Sequence, residues 1–367
     1  MKRFFALLLV MCLFLSACGS NVQPPVTTTA PQTTAPTTEP TTEPTEETTV
    51  PTEPPVLYRH PLTGEPLDEP YNRRAVAVSI GNTRAALPQH GISQADVFFE
   101  IEAEGDITRF LVVITDLENT GAIGPIRSAR TFFNNAAAAY NAVIAHCGGS
   151  DRGIKGYYDL TGSKIENWEH FDEMTYGTKY YYRDLDRYNY QNYAWEHCLY
   201  TNGENMLKAL ADQEYQTGEA WDLGFVFNEE AALEGESASS ITVSFLGGKT
   251  SDFTYEADRG VYSIRQYDRD LIDGTTGEQL TFKNVLVLYA DQTKKSDRWY
   301  VRSYYDLIGE GEGYYAVDGK IVKIKWSRED VKEPFVYTYE DGTVIELGVG
   351  KTYIGIASPK SDPIEYK

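Results

Sequence analysis

Apolar and polar positions along this chain follow two regimes, and the change between them divides it. Arg74–Ile80 is a near-continuous apolar run closed by Gly81-Asn82, the pattern of a strand covered on both faces. Over Asp96–Ala103 the polarity alternates. Asp96, Phe98, Glu100, Glu102 and Glu104 share one parity, and Val97, Phe99, Ile101 and Ala103 the other. Gly105-Asp106 predicts a hairpin turn and Ile107–Leu117 the returning strand. Beyond Gly124-Pro125, an alanine-rich stretch predicts a helix from about Ser128 to Tyr140. Ala142–Cys147 reads as a strand ended by Gly148-Gly149-Ser150, and Glu204–Glu214 as a second helix. From about Ser237 only short alternating segments and turns remain, with Asp318-Gly319 and Asp341-Gly342 as hairpin signals. The pattern predicts an α/β (α+β) N-terminal domain with a mixed sheet over residues 56–230. An all-β C-terminal domain, a sandwich or barrel, follows over 231–367.

The start of the chain obeys neither regime. Lys2-Arg3, the apolar run Phe4–Leu15 and Leu15-Ser16-Ala17-Cys18 have the layout of a secretory leader with a bacterial lipobox. The run is shorter than the ~20 residues a bilayer span needs. Residues 1–17 are therefore expected to be a signal peptide, with Cys18 carrying palmitate-type acyl chains on the extracytoplasmic face of the cell membrane. Residues 19–55 are mostly Thr, Pro and Glu. They predict a disordered tether that reaches on the order of 100 Å at full stretch.

Composition narrows the partners. The net charge is −21, and such a field repels nucleic acid and anionic lipid headgroups. The expected partners are the membrane, through the N-terminal lipid, and an envelope protein or cell-wall fragment. No cofactor fingerprint and no metal motif occurs. Asp268, Asp270, Asp273 and Gly274 miss the spacing of a calcium loop. Once the leader is removed and Cys18 lipidated, Cys147 and Cys198 remain. Each follows a histidine, but neighbours on a strand point to opposite faces, which resists a shared zinc site. Outside the cytosol a disulfide is the favoured state of such a pair, with free thiols the alternative.

Two constellations carry candidate chemistry. The strand after Gly105-Asp106 is apolar at both parities, so some of Glu100, Glu102 and Glu104 lie beneath a covering layer and need partners. A two-residue turn sets Arg109 opposite Glu102. Arg127 and Arg130, spaced for one face of a first helical turn, and Ser128 as its cap suit a carboxylate or phosphate. That anion is either a ligand or one of the strand's own glutamates. His146, Ser150, His197 and Tyr200 make the second group, at a strand end where α/β folds place ligands. Ser150 beside a histidine also fits a nucleophile. Asp184 and Asp186 have a spacing open to glycoside chemistry. The stretch 157–200 holds ten tyrosines and two tryptophans, including Tyr157, Tyr158 and Trp168. Such rings suit sugars, a peptide or packing of an irregular loop.

Val76–Asn82, Pro88–Asp96, Glu104–Phe110, Ile123–Arg130, His146–Ser150, His197–Thr201, Asn284–Leu288 and Gly350–Ile356 together resemble the YerB-like lipoproteins of Gram-positive bacteria. The resemblance implies an N-terminal domain of unknown function followed by a β-rich one. In that family the histidine motifs read more often as His-Ala-Gly-Gly-Ser and His-Asn-Leu-Tyr-Thr. Both cysteines of this chain depart from that pattern together, as a private disulfide would. The expected function is a membrane-anchored binding or scaffolding module at the cell envelope, with an anion site in its first domain. The alternative is a cell-wall hydrolase using His146, His197 or Ser150.

Overall fold

The computed structural model describes residues 58–105, 107–149, 169–215, 221–231, 233–245, 248–296, 301–360 and 364–367. Cys18, the tether, Ser150, Tyr157, Tyr158 and Trp168 lie outside them. The N-terminal half supplies strands β1 (Ala75–Gly81), β2 (Val97–Glu104) and β3 (Ile107–Ile114). Helix α1 (Thr131–Ala138) and strands β4 (Ala142–His146) and β5 (His170–Asp172) follow. Helices α2 (Leu185–Asn189) and α3 (Gly203–Asp212) complete this half. The C-terminal half is built from strands: β6 (Ser240–Ser244), β7 (Thr250–Glu256), β8 (Val261–Gln266) and β9 (Asn284–Tyr289). Then come the hairpin β10 (Gln292–Ser296) and β11 (Val301–Tyr305), the long pair β12 (Gly309–Val317) and β13 (Lys320–Arg328), and β14 (Thr352–Ala357). The fold class expected from the pattern is what is observed: a mixed sheet with few helices, then a strand-rich region.

One sheet nevertheless runs through both halves, in the order β13-β12-β9-β14-β2-β3-β1-β4-β5. The junction is β14, which lies parallel to β9 on one side and to β2 on the other. No local signal announces this pairing, because β14 and β2 are some 250 residues apart in sequence. A second sheet, centred on β6, β7 and β8, packs on one face of the first. Phe253 of that sheet meets Tyr353 with ring centres 4.7 Å apart, and Phe282 meets Phe98 at 5.5 Å. Phe110 and Val243 belong to the same buried layer. On the opposite face Phe132 and Ala136 of α1 pack with Phe99, Leu111, Leu286 and Trp326. Both faces of β2 and β3 are thus sealed, so β3 can be apolar at both parities.

Two local expectations are corrected. The hairpin does not set Arg109 opposite Glu102. A bulge between Glu102 and Glu104 places Arg109 opposite Ile101 and Thr108 opposite Glu102. One extra residue reverses the parity of the positions beyond it, so Glu104 leaves the face it would share with Glu100 and joins that of Arg109. The helix begins at Thr131 rather than Ser128, with Arg130 in extended conformation as its N-cap. The preceding residues bond to strand ends instead, which outweighs the gain from an earlier helical turn.

Candidate functional site at the carboxyl ends of the parallel strands

Strands β1 and β4 pair in parallel from Ala75↔Ala142 to Val78↔Ala145. Beyond that point they part, and residues 125–129 wedge between them. Arg127 donates its N–H to Ser79 O (2.8 Å), and Cys147 N–H bonds to Arg127 O (3.1 Å). Gly81 N–H reaches Pro125 O at 2.9 Å and Ala129 N–H reaches Gly148 O at 3.0 Å. Gly81 makes room for the wedge, since a Cβ there would stand 3.1 Å from Arg127 Cγ. Where parallel strands part, sheets of this kind form a crevice at their carboxyl ends that binds ligands; here residues 125–129 stand in it.

Three guanidinium groups collect at this crevice. Arg109 and Arg130 both ion-pair with Glu104, and Arg130 Nε also donates to it at 2.9 Å. Arg109 and Arg130 further bond the Ser128 carbonyl. Burial works against the Glu104 carboxylate, but Arg109 and Arg130 outweigh it and hold its pKa below the usual range. Burial, then the neighbouring charges of Arg130 and Arg127, push Arg109 well down. Arg127 takes another direction: its partners among the described residues are the Glu196 carbonyl at 3.3 Å and carboxylate at 3.6 Å. Glu196 is exposed. His197 sits beside it, with its Nδ1 buried and without a hydrogen-bond partner among the described residues. Burial first, then Arg127, lower the His197 pKa.

The other glutamates of β2 have separate partners. Glu100 is fully buried and accepts from Asn82, Thr108, Ser251, Gln266 and Tyr353 at 2.7–3.0 Å. It also ion-pairs with Lys249. Ser251 and Gln266 come from the second sheet and Lys249 from the residue that leads into β7, the covering layer that the pattern of β3 required. Glu102 accepts from Ser303 at 2.7 Å and faces Lys294 at 3.4 Å.

His146 is fully buried, and its neighbours are ones the sequence does not announce. Its Nε2 shares a hydrogen bond with His170 Nδ1 (3.0 Å), and its Nδ1 contacts Gly148 O (2.9 Å). Asp172 Oδ1 lies 3.7 Å from that Nδ1 and accepts from Gly148 N–H at 2.6 Å. Burial lowers the pKa of both histidines, and Asp172 opposes this only in part. The His170-Phe171-Asp172 alternation is the signal available: two polar groups of one parity on a strand beside His146. Tyr200 is buried, its hydroxyl accepting from Arg187 (2.7 Å) and its ring stacked on Tyr182.

The expected Cys147–Cys198 bridge is not formed. Both are free thiols with separate acceptors: Cys147 Sγ donates to Glu173 (3.1 Å) and Cys198 Sγ to Ala194 O (3.4 Å). Asp184 caps α2 by accepting from Arg187 N–H at 2.9 Å. Asp273 accepts from Gly91 N–H and Ser93 N–H across the two halves. Among the described residues no helix is long and apolar enough to cross a membrane.

Comparison with known proteins places this geometry. Residues 62–216 match the profile described as "Protein of unknown function (DUF3048) N-terminal domain", and residues 241–354 match its C-terminal counterpart. The Bacillus subtilis (strain 168) protein named "Putative lipoprotein YerB" is 25% identical over 305 residues, covering 81% of this chain and 85% of that one. The crystal structure of the Bacillus subtilis YerB protein has a similar fold, with a TM-score of 0.68 and 23% identity over 84% of this chain and 99% of that chain. With both domains matched in order and the fold shared, the chain belongs to the YerB-like lipoprotein family.

Proposed function

We propose that this protein is a lipid-tethered binding module of the bacterial envelope that takes an anionic ligand at the Arg127 corner of the crevice. The supporting observation is the local charge. Arg109 and Arg130 share the single carboxylate of Glu104, while Arg127 leans on an exposed glutamate. Guanidinium groups held this way exceed their buried counter-charge, and a carboxylate or phosphate would restore the balance through forked hydrogen bonds. The Nδ1 of His197, without a hydrogen-bond partner among the described residues, adds a buried polar atom at the same corner. Attachment through Cys18 and display outside the cytoplasmic membrane belong to the same reading. They rest on the lipobox and on the family's lipoprotein relative. The hydrolase alternative has weaker support, because a fully buried His146 already bonded at both ring nitrogens is a poor general base for an outside substrate.

The test is thermal unfolding of the chain without residues 1–17, with Cys18→Ser, against inorganic phosphate, sugar phosphates and muropeptides. A ligand at 100-fold over its Kd stabilises by about 2.7 kcal/mol, several degrees in Tm at roughly 2–4 °C per kcal/mol. Arg127→Ala should abolish the shift while the apo Tm stays close to wild type, since this side chain's only carboxylate partner among the described residues is exposed. A shift that survives Arg127→Ala would refute the assignment.

A further inference from the structure

Most large rings of this protein are buried or half-buried, and the exceptions are concentrated. Among the described residues every exposed aromatic lies within 188–195: Tyr188 at 44%, Tyr190 at 82% and Trp195 at 49%. Exposed Leu185 lies next to them in sequence. Single exposed apolar residues need no explanation, but a cluster of them in one short stretch does.

The backbone beneath is fixed. Arg187 of α2 is buried and donates to Ala86 O (2.7 Å), Pro88 O (2.8 Å) and the Tyr200 hydroxyl, with its guanidinium 3.9 Å from the Tyr193 ring centre. Tyr193 in turn donates to Leu87 O. Trp195 is held edge-on by Tyr188 at 5.1 Å, with the Arg183 guanidinium over its ring at 4.9 Å. Rings presented on a rigid support lose little entropy when something stacks on them.

The sequence between the rings indicates what stacks. Asn189, Gln191 and Asn192 are all exposed. Planar amides beside aromatic faces complement a pyranose ring, whose C–H face covers the aromatic while neighbouring hydroxyls meet a paired donor and acceptor. Charge completes the description. Trp195 directly precedes Glu196, whose carbonyl and carboxylate Arg127 contacts, so the ring and the arginine corner are separated by one residue of chain. We infer that residues 188–195 form a platform for an anionic glycan, whose sugar rings stack on Trp195 and Tyr188 while a carboxylate or phosphate substituent reaches Arg127. This rests on the anion-site reading above and names the class of its ligand.

Calorimetric titration of the chain lacking residues 1–17, with Cys18→Ser, tests it with four probes. Two are acidic glycans: an N-acetylglucosamine–N-acetylmuramic acid hexasaccharide (carboxylate source) and poly(N-acetylglucosamine 1-phosphate) (phosphate source). Chitohexaose is the neutral glycan, and poly(glycerol phosphate) the anion without sugar rings. At least one acidic glycan should bind about tenfold or more tighter than both controls, equivalent to about 1.4 kcal/mol. Which one does so identifies the source. Trp195→Ala, an exposed position, should lose about that factor for the acidic glycan and leave poly(glycerol phosphate) unchanged. Arg127→Ala should bring the acidic glycan down to the chitohexaose level. Poly(glycerol phosphate) binding that needs Arg127, with no preference for glycans, would overturn the platform and leave the anion site standing. Glycan binding that depends on Trp195 but ignores Arg127 would overturn the anionic ligand. Binding to none of the four would overturn both readings and turn the platform toward a protein partner.

Discussion

Glu100→Gln is the perturbation whose outcome the structure constrains most tightly. The wild-type carboxylate accepts five hydrogen bonds from neutral side chains and pairs with Lys249. Lys249 itself is almost wholly buried, and burial pushes its pKa down against the pull of Glu100. Glutamine keeps the shape but points an NH2 group at donors and removes the carboxylate in contact with the ammonium. Leaving one partner of a buried ion pair uncompensated costs about 3–5 kcal/mol. Spread over a body of this size, that is a fall in Tm on the order of 10 °C at roughly 2–4 °C per kcal/mol. The assay is urea and thermal unfolding of Glu100→Gln, Lys249→Met and the double variant. The double variant should recover at least about 2 kcal/mol relative to the sum of the singles, because it leaves no unpaired charge. The three donors of the covering layer bind a residue of the first sheet, so loss should appear as one shifted transition. A Tm drop under about 2 °C, or two separate transitions, would refute the reasoning.

Titratable groups set two further outcomes. All five histidines have pKa values pushed below 6.5, burial being the largest cause each time. The unfolded chain therefore takes up protons near pH 6.5 that the native state refuses, so stability is fully present above pH 6.5 and is lost as pH falls toward 5. Asp96, raised to about 6 by burial, works in the opposite sense but is one group against five. Urea midpoints that stay flat or rise from pH 7 to 5 would contradict this. Burial, then Glu173, push the Cys147 thiol up to about 12. The native protein without residues 1–17 and with Cys18→Ser should accordingly show two thiols that alkylate slowly at pH 8 and quickly in urea. A mass lower by two hydrogens under non-reducing conditions would restore the disulfide.

How far the sequence can be read depends on the range of the interactions. The hairpin of β2 and β3, and the need for a layer above Glu100, follow from periodicity, because alternation and its failure are local signals. The identity of that layer does not follow. Lys249, Ser251 and Gln266 are some 150 residues away, and nothing in their own segments marks them as partners of a carboxylate. The spacing of Arg127 and Arg130 allows one helical face, and that is where the pattern puts them. The ends of β1 and β4 offer the same backbone extended partners, and the two arginines go to different carboxylates. Glu104 changes faces through one bulged residue, a detail below the resolution of any period. The shared parity of His170 and Asp172 is the one local signal for them, and over three residues it is too short to mark a strand.

The position of β14 has a consequence for how the molecule comes into being. Its residues are synthesised after those of both strands it joins, yet they occupy the middle of the sheet, with β9 on one flank and β2 on the other. Until Thr352–Ala357 arrive, the first half presents β2 as an open edge, and the second half presents β9. A chain stopped shortly before Thr352 would not be a protein without its tail, but two unfinished sheets with bare edges that invite pairing with other chains. Completion of the sheet is thus delayed until Thr352–Ala357 are in place, and any route to the native state must keep two hydrogen-bonding edges apart until then.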